Sequence, residues 1–384
     1  MNFEFTTAGR ICFGPGCVAE IPALAAACGT RALLVRGLSR RVADWLVPML
    51  EETGVAVAEF AVEGEPVTAT IDAGLELLRR FRADMVIGIG GGSVVDTAKA
   101  LATLTTQPAG PWIEHLEVVG SGRPLQLPPL PSIAVPTTAG TGSEVTRNAV
   151  IGVPEKRVKV SLRHAFLLPR YAVVDPELTH GLPPDVTAYT GLDAMIQCME
   201  VLTSPFGNPL TDALCREGLQ RARSLERAWR DDEPAARADM ALAALCGGLG
   251  LANGKLGAVH GLTGPLGGMA NAPHGALCAA LWPAVWRANI AALDRAEQPA
   301  ASRSRFDEAA RLVTGDPAAT AEDGAHWVAT CCATLQVPPL AHWGITAGDK
   351  AEIVAKAQNA SSMKGNPVKL TDNELNTILE EAGL

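Results

Sequence analysis

The sequence predicts a two-domain protein: an α/β nucleotide-binding domain, with a parallel sheet covered by helices on both faces, followed by an all-α domain. The chain has 384 residues, a length typical of about two domains. Short apolar runs alternate with helical patterns up to residue 179. From residue 180 onward, long Ala- and Leu-rich segments with helical spacing dominate. We therefore place the domains at residues 1–179 and 180–384.

The α/β domain is predicted from short apolar runs of strand type. They are residues 31–36, 55–60, 84–89, 132–135 and 171–174. Helical patterns follow the first three runs: one up to about residue 52, one over 70–81 and one from about residue 93. Strands that alternate with helices favour a parallel sheet, because each helix returns the chain to the end of the sheet at which the previous strand began.

The all-α domain is predicted from segments with helical spacing and few β-branched runs. They are residues 184–203, 207–229, 234–253, 275–289, 304–313, 320–335, 348–358 and 371–382.

Composition narrows the class of function. The net charge of −9 argues against a nucleic-acid partner, which favours a basic surface. We find no apolar run of the length of a membrane span and no signal peptide in MNFEFTTAGRICFGPG. The nine cysteines are scattered without a CxxC pair, as is typical of reduced thiols in the cytoplasm. We predict a cytoplasmic protein that acts on a small molecule, with neither a nucleic-acid nor a membrane partner.

Two glycine-rich turns follow predicted strands. GIGGGSVVDTAKA (88–100) leaves a strand and enters a helix, whose free N–H groups and partial positive charge suit a pyrophosphate. PTTAGTGSEVT (136–146) follows the next strand, where nucleotides bind in open α/β sheets. The alternatives are a tight turn closed by a capping box of Ser93 and Asp96, and a Thr-rich loop that satisfies its own backbone.

Several segments together resemble the iron-containing (group III) alcohol dehydrogenase family, whose fold is related to dehydroquinate synthase. They are GGGSVVDTAKA, PTTAGTGSEVTRNAVI, LLPRYAVVDPELT, TGLDAMIQCME, VHGLTGPLGGMANAPHG and SSMKGNPVKLTDNEL. The resemblance covers nearly the whole chain in the same order. It implies an N-terminal NAD(P)-binding domain, a helical C-terminal domain and a catalytic cleft between them. Family members are commonly dimers or larger, so a homodimer or higher homo-oligomer is expected.

The resemblance also implies a set of cofactor-binding residues. Those expected to face the pyrophosphate, the ribose and nicotinamide, and the domain junction are Gly91, Gly92, Ser93, Thr137, Thr138, Thr141, Asn148, Lys159, Val174 and Leu178. Lys159 has an alternative interpretation as an exposed lysine of the basic run EKRVK. Gly37 stands where an NAD-preferring member often has an Asp, with arginines nearby. No carboxylate is expected there to repel a 2′-phosphate, so NADPH is slightly favoured over NADH.

The family's metal ligands are an Asp and a His four residues apart, and the last two histidines of H-x3-H-x(9–13)-H. Here Asp193 is present, but the fourth residue after it is Gln197. His260 begins the second pattern, Gly264 stands at its middle position and His274 ends it. Two of four ligand positions are thus replaced, which predicts no functional metal.

Hydride chemistry does not require that metal, because hydrogen-bond donors can stabilise the same developing charge. His274 and His260 are the candidate donors and proton carriers, with Asp193 and Gln197 as supporting groups. The leading hypothesis is a metal-free NAD(P)-dependent oxidoreductase acting on a small carbonyl or alcohol. One alternative is an iron- or zinc-dependent alcohol dehydrogenase in which a water or nearby residue completes the ligand set. Another is a non-catalytic nucleotide-binding homologue. Structural roles for the two histidines and a helix-dipole role for Asp193 are the plainer alternatives.

Overall fold

The computed structural model describes residues 2–296 and 300–384. The chain divides into two compact units. Of the described residues, one contains 6–138 and 142–180, and the other contains 2–5, 139–141, 181–296 and 300–384. The predicted fold class, a parallel α/β part followed by an all-helical part, is confirmed.

The first unit contains a six-stranded parallel sheet and a separate antiparallel hairpin. The strands are β1 (Arg10–Phe13), β2 (Arg31–Arg36), β3 (Ala56–Ala61), β4 (Met85–Gly90), β5 (Ser132–Pro136), β6 (Asn148–Val153), β7 (Val158–Arg163) and β8 (Tyr171–Val174). The sheet order is β1-β8-β5-β4-β2-β3, and β6 pairs with β7. The helices of this unit are α1 (Ile21–Ala26), α2 (Ala43–Glu52), α3 (Thr68–Phe81) and α4 (Gly92–Leu104).

Alternate residues of β2 show how both faces of the sheet are covered. Leu33 belongs to a cluster of buried residues that includes side chains of α3 and α4. Leu34, its neighbour, belongs to a different cluster that includes side chains of α1 and α2. Both leucines are fully buried. This double coverage explains why the strand reads as a continuous apolar run rather than an alternating one.

Glycines bring α4 into close contact with β4. A Cβ added at Gly88 would lie 2.6 Å from Cβ of Ala98, and one at Gly90 would lie 2.6 Å from Cγ2 of Val94. Real Cβ atoms do not approach so closely, so these two positions require glycine. The run of glycines therefore serves helix–sheet packing as well as the turn itself.

The structure contains strands that the sequence analysis missed. β1 has only four residues, too few for a periodic signal. β6 and β7 form a hairpin whose first strand alternates between buried and partly exposed residues. The hairpin begins just after the predicted cofactor loop (136–146), in a stretch for which the sequence analysis predicted neither strand nor helix.

The second unit is built from helices. They are α5 (Pro184–Thr203), α6 (Pro209–Ala222), α7 (Leu225–Asp231), α8 (Pro234–Asn253), α9 (Ala258–Met269), α10 (His274–Arg295), α11 (Ala300–Thr314), α12 (Ala321–Thr334), α13 (Lys350–Asn359) and α14 (Asp372–Glu381). The segment predicted as one helix over 207–229 is two, α6 and α7. The Gly-rich segment 259–269 was not predicted as a helix, yet it forms most of α9.

Two helices, α8 and α10, are long and apolar enough to pass a test for membrane spans by length and hydropathy. In each, 72% of the apolar window is buried inside the protein, as in the core helix of a globular domain. The largest side chains of α10, Trp282 and Trp286, are fully buried and pack in one core cluster with Phe306.

Candidate active site

Helix α5 carries three polar side chains along one face. Asp193, Gln197 and Glu200 follow one another at spacings of four and three residues, which places them on the same side of a helix. Each residue is at least 95% buried, within a helix whose other residues are mostly apolar core. Buried carboxylates are costly unless they are paired, so this face requires partners.

Glu200 connects α5 to α9. Its Oε2 lies 2.7 Å from Nδ1 of His260, and its Oε1 accepts a hydrogen bond of 2.7 Å from the backbone N–H of Val259. A carboxylate suits this position because the first turn of a helix has free N–H groups. A Cβ at Gly257 would lie 2.9 Å from the same Oε1, so this residue must be small. Glu200 thus fixes both the start of α9 and the ring of His260.

Helix α10 supplies the other two members of the group. His274, its first residue, and Cys278 are one helical turn apart, and the His274 Nε2–Cys278 Sγ distance is 3.6 Å. Nε2 of His274 lies 3.8 Å from Oδ1 of Asp193, and Nε2 of His260 lies 3.3 Å from that same oxygen. The ligand atoms of these four residues all lie within 4.8 Å of one another. We call Asp193, His260, His274 and Cys278 the four-residue cluster.

Two atoms of the four-residue cluster are buried without a hydrogen-bond partner. They are Oδ1 of Asp193 and Nε2 of His260. Because Nδ1 of His260 is held by Glu200, its Nε2 is the nitrogen left to face Asp193. Buried polar atoms are normally satisfied, and a cation held between the carboxylate oxygen and the nitrogen of a neutral imidazole would satisfy both atoms. The set of one carboxylate, two imidazoles and one thiol also matches the donors that divalent transition metals use. The residues present therefore fit a metal ion.

The electrostatics of the four-residue cluster point the same way. Burial opposes charge on every member, but mutual attraction outweighs it. Contacts with the two histidines hold the pKa of Asp193 and of Cys278 below their ordinary values. The neighbouring anions raise the pKa of His260 well above its usual range and that of His274 to about 9. Without an ion, the cluster therefore holds protons that a metal would displace.

The structure also shows what stands at the two replaced ligand positions. Gln197 donates from Nε2 to Oδ2 of Asp193 over 3.1 Å, while its Oε1 is buried without a partner. Gly264 lies on α9, and a Cβ added there would meet nothing within 4 Å. The nitrogen that faces Asp193 belongs to His260, the residue that the sequence pattern did not count as a ligand. The sequence analysis counted only two remaining ligands, but four side chains that can bind a metal meet in the four-residue cluster.

Two residues of this site were missed by the sequence analysis. Glu200 lies seven residues after Asp193, a spacing that returns to the same helical face. Cys278 lies four residues after His274 on a predicted helix, the same spacing that directed attention to Gln197. Both signals are present in the sequence, but neither identifies a site without knowing which helices meet.

The predicted cofactor turn lies between β4 and α4, as expected. Gly91 is the N-cap of α4, and the helix begins at Gly92. The predicted capping box is wrong: the helix has no side-chain cap, and Asp96 instead pairs with Lys99 and accepts a hydrogen bond from Ser143. The N–H groups of the first turn are consequently left free of a side-chain cap.

The two predicted cofactor loops meet in the first unit. The backbone N–H of Thr137 donates to the carbonyl of Gly90 over 2.9 Å. A Cβ on Gly91 would lie 3.6 Å from the side chain of Thr138. Gly37 follows β2, and Arg36, the last residue of β2, is in register with Ile89 near the end of β4. Gly37 and the two loops therefore follow the carboxyl ends of their strands, on the same side of the sheet.

Two arginines near Gly37, Arg36 and Arg40, form ion pairs with carboxylates. Oε2 of Glu59, on β3, lies 2.6 Å from both Arg36 and Arg40, and Arg40 also pairs with Asp44 at 2.9 Å. Partial burial raises the pKa of Glu59, but the two arginines lower it further, so the net shift is downward. The expectation that no carboxylate stands at this position is therefore wrong. The missed residue comes from a neighbouring strand, 23 positions further along the chain.

The remaining predicted cofactor residues are spread over the hairpin and the last strand. Lys159 forms an ion pair with Glu65, and its side chain is 16% exposed. It is thus not a free surface lysine. Asn148 begins β6, and Val174 ends β8. The carbonyl of Leu178 accepts a hydrogen bond of 2.9 Å from the guanidinium of Arg41.

Comparison with known proteins decides the family. The family model "Iron-containing alcohol dehydrogenase" matches residues 8–176, and the C-terminal model of the Fe-containing alcohol dehydrogenase family matches residues 187–383. The chain belongs to the iron-containing alcohol dehydrogenase family. The resemblance inferred from the sequence is confirmed, and the protein is an oxidoreductase enzyme.

Relatives within the family share nearly the whole chain. Alcohol dehydrogenase 4 of Saccharomyces cerevisiae (strain YJM789) is 35% identical over 350 residues, which cover 90% of this chain and 87% of that protein. The crystal structure of a 1,3-propanediol oxidoreductase has a TM-score of 0.91 at 29% identity, with both chains fully covered. Sulfoacetaldehyde reductase from Bifidobacterium kashiwanohense, solved in complex with NAD+, has a TM-score of 0.86 at 26% identity, covering 99% of this chain and 98% of that one.

Proposed function

We propose that the protein is an NAD(H)-dependent alcohol dehydrogenase that interconverts a small alcohol and its carbonyl compound at a divalent metal centre. The observation that carries the proposal is the pair of facing atoms, Oδ1 of Asp193 and Nε2 of His260. They are buried, 3.3 Å apart and without hydrogen-bond partners. The sequence analysis favoured a metal-free centre, but the convergence of the four-residue cluster favours its metal-dependent alternative.

Asp193, His260 and His274 would hold the ion. When bound, a divalent metal polarises the substrate oxygen and stabilises the negative charge that develops on it. Glu200 holds His260 by Nδ1, so that Nε2 would be the nitrogen available to the ion. Gln197 binds Oδ2 of Asp193 and leaves Oδ1 for the centre.

The proposed reaction is a hydride transfer accompanied by the release or uptake of one proton. In the oxidising direction, a bound oxidised nicotinamide would accept the hydride of the carbinol carbon, and the hydroxyl group would lose its proton to a base or to water. His274 is the most exposed member of the four-residue cluster, with 38% of its side chain accessible, compared with 6% for His260. We therefore place the substrate oxygen on the His274 side of the four-residue cluster, where the released proton can pass to solvent.

The glycine turn is proposed to hold the cofactor. Gly91, Gly92 and Ser93 present free N–H groups at the start of α4, a position suited to the pyrophosphate. Thr137 and Thr138 adjoin this turn. A role for Thr141, Asn148, Lys159, Val174 and Leu178 remains a prediction.

Charge balance at the end of β2 favours NADH. Glu59 and Asp44 offset the charges of Arg36 and Arg40. The third arginine there, Arg41, donates to the carbonyls of Leu178 and His180. A 2′-phosphate would thus meet arginines that already have partners, and the carboxylate of Glu59 would repel it. This reverses the slight preference for NADPH inferred from the sequence. Cytoplasmic location and a homo-oligomeric state remain predictions.

The test is activity with and without metal. The purified protein is treated with a chelator, then assayed with NADH and a series of small aldehydes, before and after addition of zinc or iron. We expect loss of activity on chelation and recovery with metal. Full activity after chelation would instead establish the metal-free oxidoreductase. Binding of NADH without turnover under any condition would establish a non-catalytic homologue.

A further inference from the structure

We propose that Sγ of Cys278 is the fourth ligand of the divalent ion, in place of the side chain at position 197, and that this ligand makes the centre select zinc over iron. The inference rests on the proposed function and deepens it. The family pattern has His at the position of Gln197, on α5; here the fourth ligand comes from α10 instead. Nothing in the family resemblance assigns a role to Cys278.

The distances within the four-residue cluster support this assignment. For zinc bonds of about 2.0 to 2.3 Å, tetrahedral ligand atoms lie roughly 3.3 to 3.8 Å apart. The observed separations are 3.3 Å (His260 Nε2 to Asp193 Oδ1), 3.8 Å (His274 Nε2 to Asp193 Oδ1) and 3.6 Å (His274 Nε2 to Cys278 Sγ). The largest separation of ligand atoms in the cluster does not exceed 4.8 Å. Three of the six separations thus lie in the range of a tetrahedral zinc site, and the other three are bounded by the same 4.8 Å.

Helix geometry explains why Cys278 can reach the ion. His274 and Cys278 are four residues apart on α10, so both side chains lie on the face that meets Asp193. Cys278 is fully buried, with Sγ 3.4 Å from Oγ1 of Thr263 on α9. Gln197 instead uses its amide N–H to bind Oδ2 of Asp193, and so supports a ligand rather than acting as one.

The cluster also contains two unpartnered buried atoms that point to a ligand independently of the cysteine. They are Oδ1 of Asp193 and Nε2 of His260. A carboxylate and a thiolate together carry the two negative charges that neutralise a divalent cation. A thiolate is a soft ligand, and a set with one sulfur, two nitrogens and one oxygen favours zinc over the harder ferrous ion.

The experiment uses the full-length protein loaded with Co²⁺ in place of its native metal. Thiolate coordination to Co²⁺ produces an intense charge-transfer absorption in the near ultraviolet, which oxygen and nitrogen ligands do not produce. We expect this band in the wild type and its loss in Cys278→Ser. The matched control is Cys332→Ser, since Cys332 is also buried and donates to a carbonyl of α10, but lies outside the four-residue cluster.

A second variant separates loss of a ligand from damage to the fold. In the double variant Gln197→His, Cys278→Ser, the family's ligand is restored on α5 while the thiol is absent. We expect Cys278→Ser to weaken zinc binding by more than the roughly 10- to 100-fold typical of losing an outer-sphere partner. The double variant should regain most of that affinity without regaining the charge-transfer band. Its ratio of zinc to iron affinity, from competition titration, should fall below that of the wild type.

The outcomes distinguish this inference from the proposed function. If Co²⁺ binds and supports turnover but the band is absent, or survives in Cys278→Ser, the role of Cys278 is overturned and the metal-dependent dehydrogenase stands. An unchanged zinc-to-iron ratio in the double variant overturns the selectivity claim. If Co²⁺ does not bind to the wild type while aldehyde reduction proceeds, both the metal-dependent function and the role of Cys278 are overturned.

Discussion

Glu200 holds His260 by a contact of 2.7 Å to Nδ1, and this leaves Nε2 of the same ring facing Asp193. The second oxygen of Glu200 receives the N–H of Val259, so one carboxylate sets both the ring orientation and the start of α9. A carboxylate behind a metal-binding histidine fixes its tautomer and strengthens it as a ligand. Glu200 is therefore a positioning residue, not a member of the four-residue cluster.

The first prediction concerns this positioning. We expect Glu200→Gln to weaken zinc binding by about 10- to 100-fold, because the neutral amide no longer strengthens His260 as a ligand. Zinc affinity is measured by competition with a chromophoric chelator, and thermal unfolding is followed in parallel without metal. Glu217→Gln, in an exposed ion pair of the same unit, is the control. A zinc affinity equal to that of the wild type would show that Glu200 serves only the helix.

The second prediction concerns cofactor choice. Glu59→Gln removes the carboxylate that occupies Arg36 and Arg40, and frees both for a 2′-phosphate. A charge-assisted hydrogen bond contributes about 1.5 to 3 kcal/mol, which corresponds to roughly tenfold or more in affinity. We therefore expect the ratio of kcat/KM for NADPH to that for NADH to rise by at least about tenfold. Glu20→Gln, which removes an exposed partner of Arg10, should leave the ratio unchanged. If Glu59→Gln also leaves the NADPH-to-NADH ratio unchanged, Arg36, Arg40 and Glu59 do not contact the ribose of the cofactor.

The third prediction concerns pH and stability. Burial raises the pKa of Glu144 to about 7, although the charge of Lys99 acts in the opposite direction. The folded state thus binds this proton more tightly than the unfolded state, whose value is 4.5. The contribution of Glu144 to the free energy of unfolding is complete below pH 4.5. It is lost as the pH rises through about 7, a change of about 3 kcal/mol.

Urea unfolding across this pH range measures the effect. The stability of Glu144→Gln should exceed that of the wild type increasingly as the pH rises, because the amide never ionises. Glu52→Gln, at an exposed position, should follow the wild type at every pH. Parallel curves for Glu144→Gln and the wild type would mean that Glu144 ionises in the fold without penalty.

The fourth prediction concerns the close packing of α4 on β4. Gly88→Ala would place a Cβ 2.6 Å from that of Ala98, and overpacking of this kind costs roughly 1 to 3 kcal/mol. Gly264→Ala should cost less than Gly88→Ala, because an added Cβ meets nothing within 4 Å apart from its chain neighbours, of which Pro265 disfavours a side chain in helical conformation. Chemical denaturation of the two variants gives both numbers. Equal stabilities would indicate that α4 shifts freely to accommodate the methyl group.

The α/β part of the fold was predictable because its signals are local. Continuous apolar runs identified β2, β3, β4, β5 and β8 within a residue or two, and glycines after β4 identified the turn into α4. The hairpin of β6 and β7 and the short β1 were missed. β1 has only four residues, and its partner β8 lies far along the chain. β6 and β7 pair locally, but their residues alternate between buried and partly exposed, so they contain no continuous apolar run.

The sequence by itself determined the order of elements, the family and the presence of Asp193, His260 and His274, because periodicity and motifs are properties of neighbouring residues. Only the tertiary structure decided which of them meet. The helix crossings bring Cys278 and Glu200 to His260, and the pairing of β2 with β3 brings Glu59 to Arg36. Such contacts depend on the three-dimensional packing of different elements, whose residues here lie from 18 to 60 positions apart, which no local pattern encodes.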